Sequence, residues 1–121
     1  MRGWLAAAGI NGIIAVAMGA VGAHVLAGRL DPHALDLVAM AARYQMYHAL
    51  ALFGVAWLAT LRPGELVRAA GFAFLFGVVC FSGGLYAHAL TGWSGFAFPV
   101  PVGGTAFMFG WLLLLLVAVR R

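Results

Sequence analysis

Four long apolar runs organise the chain, separated by short stretches where charge, glycine or proline collects: Trp4 to Leu26, Tyr44 to Leu61, Leu66 to Leu90 and Val102 to Val119. A helix crosses the hydrocarbon with about 20 apolar residues, and each run reaches that length with modest tilt. The pattern predicts an all-α membrane protein, a four-transmembrane-helix bundle with spans at about 4–26, 44–61, 66–90 and 102–119, the whole of 1–121 forming one domain. Arg2 before the first run gives it a look of a secretory signal, but it is longer than a secretory core and leads into no cleavage-like site, so it is read as a retained helix.

The connections refine this picture. Asp31 before Pro32 starts a helix, because Asp accepts from free backbone N–H groups and Pro at the first helical position loses nothing. No glycine or proline interrupts the chain from His33 until Gly54, and the intervening pattern is helical, so the second helix is predicted to have an extended start outside the hydrocarbon. The stretch from Thr91 to Pro101 carries no charge. Its Trp93, Phe96 and Phe98 suit the headgroup boundary, and Pro99 and Pro101 hold it extended.

Composition supports the membrane assignment: 65% of the 121 residues are hydrophobic and 8% charged, where a soluble domain is nearer half and a quarter. No segment outside the apolar runs is long enough to fold alone, which excludes the soluble enzyme folds. Seven arginines against three acids give a net charge of +4, yet the arginines flank the runs and anchor helix ends, so nucleic acid is not the implied partner; the lipid bilayer is. Arg2, Arg62, Arg68, Arg120 and Arg121 fall on one side of a four-span chain and Arg29 and Arg43 on the other, which predicts an N-in, C-in orientation. Cys80 is the single cysteine, so no intramolecular disulfide and no CxxC motif arises.

Small residues allow helices to approach closely in lipid, where hydrophobic reward for association is small. Asn11, Ala15, Gly19 and Ala23 recur at every fourth position in the first run. Ala73 and Gly77, followed on nearly the same face by Gly84, repeat the pattern in the third. Spans one and three are therefore expected to form the core pair, with Gly19 and Gly77 at contacts that admit no larger side chain and Asn11 bonding between helices.

No carboxylate lies within a span, which removes the proton-exchanging group of a small drug antiporter. Histidines are the remaining ionisable candidates. His24 stands near the outer end of span one, His48 one turn inside span two and His88 near the outer end of span three. The reading taken first is structural: His24 and His48 form one outer polar cluster with hydrogen bonds from Tyr44 and Gln45. The alternative is a metal held by His24, His48 and His88, or a haem held by two of them, although no local ligand signature such as HxxxH accompanies them. The expected cofactor is none, with metal or haem as the alternative. Scattered methionines read as packing material.

Four motifs in this order, Gly19-Ala20-Val21-Gly22-Ala23-His24, Tyr44 through Leu52, Phe81-Ser82-Gly83-Gly84-Leu85-Tyr86, and Pro101-Val102-Gly103-Gly104 with Gly110-Trp111, resemble the small membrane-protein family known as domain of unknown function 423, whose members include bacterial inner-membrane proteins and eukaryotic transmembrane protein 256. The resemblance covers nearly the whole chain and implies a four-helix inner-membrane protein, with no reaction attached. His24 and His48 match its histidines; His88 lies outside its motifs. Gly84 stands where the family often has Ser, and Val100 where it often has Thr. The leading functional expectation is a non-enzymatic accessory or assembly protein packing against a larger membrane complex. The alternatives are the metal or haem site, and an oligomeric small channel or transporter built as a homo-oligomer.

Overall fold

The computed structural model describes residues 1–120 and contains helices and turns with no strand among them; Arg121, counted in the arginine split, lies outside the described residues. α1 runs Arg2–His24, α2 Pro32–Leu61, α3 Glu65–Gly77, α4 Gly83–Thr91 and α5 Pro99–Val119. A π turn over Val78–Ser82 joins α3 to α4, so the two make one rod and the bundle has four. The extended start of α2 is present: the Asp31 carboxylate accepts from the Ala34 amide at 2.7 Å and Pro32 occupies the first turn. Gly92 stops α4 with φ 73°, a left-handed value that glycine adopts without a Cβ penalty.

Three stretches are long and apolar enough to cross a membrane: Arg2–His24, Glu65–Thr91 and Ser94–Val119. α2 has the length, 30 residues, but Tyr44, Gln45, Tyr47 and His48 crowd its middle and lower its hydropathy. Gln45 and His48 are buried, because α2 is the central rod of the bundle. It packs against α1 on one side and against α3, the π turn and α4 on the other. The core lies between it and the rods of α3 and α5, where Leu52, Val55 and Phe74 are fully buried among Ala70, Phe107, Leu113 and Val117.

Helix pairing differs from the sequence expectation. α1 packs on α2, and α3 packs on α5; spans one and three are not the core pair. Trp4 reaches from α1 to α3, its ring edge-on to Phe72 at 4.9 Å and seated over Gly71. Gly19 is correspondingly not a packing glycine, since a Cβ there meets nothing within 4 Å, and Ala23 is exposed. Ala15 and Asn11 are buried, but against α2. Gly77 does lie at a close contact, with Phe107 and the Gly103 carbonyl of α5, and Gly84 packs on the Phe96 carbonyl and Val100. Ala73 is half-buried on α3. The physical reason is that α1 carries small residues on several faces, so a fourfold spacing names a permissive face without naming the helix that uses it.

One end of the bundle gathers the start of α1, the α2–α3 turn and the end of α5. There Arg62 donates to the carbonyls of Val117 at 3.0 Å and Arg120 at 2.6 Å, closing the last turn of α5 where carbonyls lack helical partners and the dipole favours a cation.

Candidate functional site

A polar side chain inside an apolar bundle needs a partner for each donor and acceptor, since lipid offers none. Two clusters meet that demand, both centred on α2. In the first, Tyr86 Oη donates to Gln45 Oε1 at 2.8 Å, Gln45 Nε2 donates to Asn11 Oδ1 at 3.0 Å, and Asn11 Nδ2 donates to the Ala7 carbonyl at 2.9 Å. The chain of bonds ties α4, α2 and α1 together. Replacing Gln45 by Leu should leave Asn11 Oδ1 and Tyr86 Oη unpaired; with membrane hydrogen bonds each contributing about 0.6 kcal/mol and up to about 1.7, a loss of about 1–2 kcal/mol is expected. Thermal unfolding in detergent, with faster amide exchange concentrated in α1, checks it.

The second cluster surrounds His48, which is 4% exposed. Its Nδ1 lies 2.7 Å from the Tyr44 carbonyl, one turn earlier, and its Nε2 accepts from Trp111 Nε1 at 3.1 Å. Indole N–H only donates and a carbonyl only accepts, so these partners fit a neutral imidazole with its proton on Nδ1. Phe107 stacks on the ring at a centroid distance of 3.6 Å and 5° from parallel. α5 approaches this closely because Gly103 and Gly110 lack side chains: a Cβ at Gly103 would stand 2.8 Å from the Gly77 carbonyl oxygen and closer to Phe81 N, and one at Gly110 would strike Phe74. The π turn widens the third rod at this level, a feature frequent at functional sites, and Ser82 Oγ donates to the Ala41 carbonyl at 2.8 Å.

Above His48 a groove of about 420 Å³ opens between α2, the π turn and α5, lined by Tyr44, Phe81, Gly104, Thr105, Met108 and Trp111 together with the imidazole edge. Its walls are largely apolar, and the His48, Thr105 and Trp111 side chains on them are already bonded. No buried side-chain nitrogen or oxygen among the described residues lacks a hydrogen-bond partner.

The predicted outer cluster is not assembled. Tyr44 contributes its carbonyl to His48, but Gln45 bonds to Asn11 and Tyr86, and His24 is exposed at the end of α1. Gly22 packs on Val38 while Asn11 meets Gln45, so at 1.5 Å per residue His24 and His48 lie roughly 20 Å apart along the bundle. The expectation of shared depth measured His48 from Arg43, whereas α2 begins at Pro32 and places His48 in mid-helix. His88 is elsewhere again, its Nδ1 3.0 Å from the Trp93 carbonyl. The three histidines are therefore not brought to one metal or haem, and no group of three or more His, Cys, Asp or Glu is placed to hold a metal among the described residues. Trp111 and Phe107 are the site residues that sequence reasoning missed. A signal existed, since a tryptophan in mid-span needs an acceptor for its N–H.

A family model described as "Protein of unknown function (DUF423)" matches residues 18–104. The chain belongs to the DUF423 family. Among its relatives, the UPF0382 membrane protein YwdK of Bacillus subtilis is 38% identical over 121 residues, covering 99% of this chain and 98% of the relative. The UPF0382 inner membrane protein YgdD of Escherichia coli K12 is 38% identical over 113 residues, covering 93% and 86%. A UPF0382 membrane protein of Haemophilus influenzae is 36% identical over 111 residues, covering 92% and 89%. No solved structure matches. This DUF423 protein is thus a small, multi-pass inner-membrane protein built of helices. Its match region contains Tyr44, Gln45, His48 and Tyr86 of the two clusters, with Ala7, Asn11, Phe107 and Trp111 outside it. The two departures noted from the family pattern adjoin, since a Cβ on Gly84 would stand 3.0 Å from Val100 Cγ2.

Proposed function

We propose that this DUF423 protein is a non-enzymatic accessory or assembly component of the inner membrane, whose groove over His48 receives an apolar helix of a larger membrane complex. The observation that carries the reading is the satisfaction of every buried polar side chain within the described residues. A reacting site holds groups in reserve for its substrate, whereas here Trp111 and the Tyr44 carbonyl use both imidazole nitrogens. What the groove presents is shape and apolar surface, with Gly104 and Met108 one turn apart on the exposed side of α5. All four rods cross the bilayer in this reading, N-in and C-in. α2 crosses as the inner rod, its polar side chains turned to its neighbours, and the five-to-two arginine split sets the orientation.

Two measurements test it. Reporter fusions at the C-terminus should report a cytoplasmic location; a periplasmic one overturns the topology. A photo-crosslinking residue at Met108 in native membranes should give an adduct of one defined mass, lost when Gly104→Phe fills the groove and absent from the same probe at Ile13. Lipid adducts alone, or an adduct indifferent to Gly104→Phe, overturn the docking role.

A further inference from the structure

Two opposite charges on α2 have no salt-bridge partner among the described residues. Asp36 and Arg43 are both exposed, and the ion pair among the described residues is Arg68 with Glu65 at the other end of the bundle. Seven residues apart, they share one face of the helix, with Arg43 about 10 Å nearer the middle of the bundle. An arginine side chain on a helix leans toward the helix N-terminus and extends its head toward the polar boundary, which takes up part of that offset. The carboxylate and guanidinium therefore stand one above the other, with the carboxylate nearer the end of the bundle.

Both residues line a groove of about 500 Å³ between the outer halves of α1 and α2, on a different side of α2 from His48. Its remaining walls are small or apolar, among them Gly19, Gly22, Ala23 and Val38. Where lipid rather than water covers such a groove, a guanidinium in it is costly unless an anion meets it. The groove thus asks for a ligand with a negative group at the level of Arg43, a positive group one step farther out at Asp36, and an apolar body. We infer that it binds a phospholipid whose headgroup is a phosphate joined to a primary ammonium, as in phosphatidylethanolamine. Arg43 meets the phosphate, Asp36 accepts from the ammonium, and the glycerol and acyl chains lie against the apolar walls. A quaternary ammonium has no N–H to donate to the carboxylate, and a glycerol headgroup offers Asp36 only neutral hydroxyls and no positive charge. The inference stands apart from the groove over His48 and holds for either orientation in the bilayer, because Asp36 is nearer its own end of the bundle in both.

Native mass spectrometry of the full-length protein, equilibrated with equal amounts of phosphatidylethanolamine, phosphatidylcholine and phosphatidylglycerol, tests it. A one-to-one adduct is expected, with phosphatidylethanolamine retained about fivefold over each of the others, the discrimination of one partly exposed charged hydrogen bond. Asp36→Asn should abolish that preference while phosphate-bearing lipids still bind, and Arg43→Gln should reduce retention of all three. Equal retention by the unaltered protein overturns the proposal without any variant. An unchanged preference in Asp36→Asn, or release of a lipid-free dimer showing a second copy seated in the groove, overturns it as well.

Discussion

Replacing Gly103 by leucine is expected to destabilise the protein by about 3 kcal/mol, the upper part of the range for overpacking. The Cβ alone would stand 2.8 Å from the Gly77 carbonyl oxygen and closer to Phe81 N. Both obstacles are backbone, so no rotamer change relieves them. α5 would have to move away from the π turn, and Phe107 would lose its place on the His48 ring. Gly19→Leu is the matched control: its Cβ meets nothing within 4 Å, and its unfolding temperature in detergent should stay near that of the parent. Equal losses from the two substitutions would show that the α3–α5 seam is not where the chain is tightly packed.

His48→Ala is the second large effect, with an expected loss of about 2–4 kcal/mol. Removing the ring opens a cavity beneath Phe107, a loss comparable to other large-to-small core changes, and strands the Trp111 N–H where only lipid remains to meet it. Trp111→Phe should cost less, about 1–2 kcal/mol, because the ring volume is largely kept and only the donor to Nε2 goes. The two residues share one hydrogen bond at 3.1 Å, so the double variant should be less destabilised than the sum of the single ones. Unfolding followed in detergent, with Trp111 emission shifting in His48→Ala, checks both. Additive losses would mean that the indole and imidazole do not act as a pair.

The polar network illustrates how far residue types alone carry. Asn11, Gln45 and His48 each announce a need for partners, because an amide or imidazole in an apolar run must be satisfied. Their identities leave the partners open. Gln45 was expected to serve His48 and instead bridges Asn11 and Tyr86, while His48 turns to Trp111 on a helix 63 residues away in sequence. Depth was misjudged for a related reason. Counting from the charged residue Arg43 marks where the hydrocarbon begins for that segment, but the neighbours of His48 depend on how α1 is set against α2, and that is fixed by which residues of the two helices interlock.

Local physical chemistry was sufficient for the membrane class, the helical rods and the Asp31–Pro32 start of α2, since these follow from hydrophobic length and capping within a few residues. The stretch expected to be held extended by Pro99 and Pro101 is instead a short helical turn at Ser94–Ala97 and the first turn of α5, because proline's fixed φ fits a first helical turn whose N–H groups need no helical partner. Helix pairing was settled only by the tertiary structure. In lipid, apolar surface gives little reason to prefer one neighbour over another, so the choice falls to shape at a few positions. Gly77 and Gly103 let two backbones meet, Phe107 fills the space beside them, and the same kind of small residue at Gly19 faces outward because no helix presents a complementary surface there.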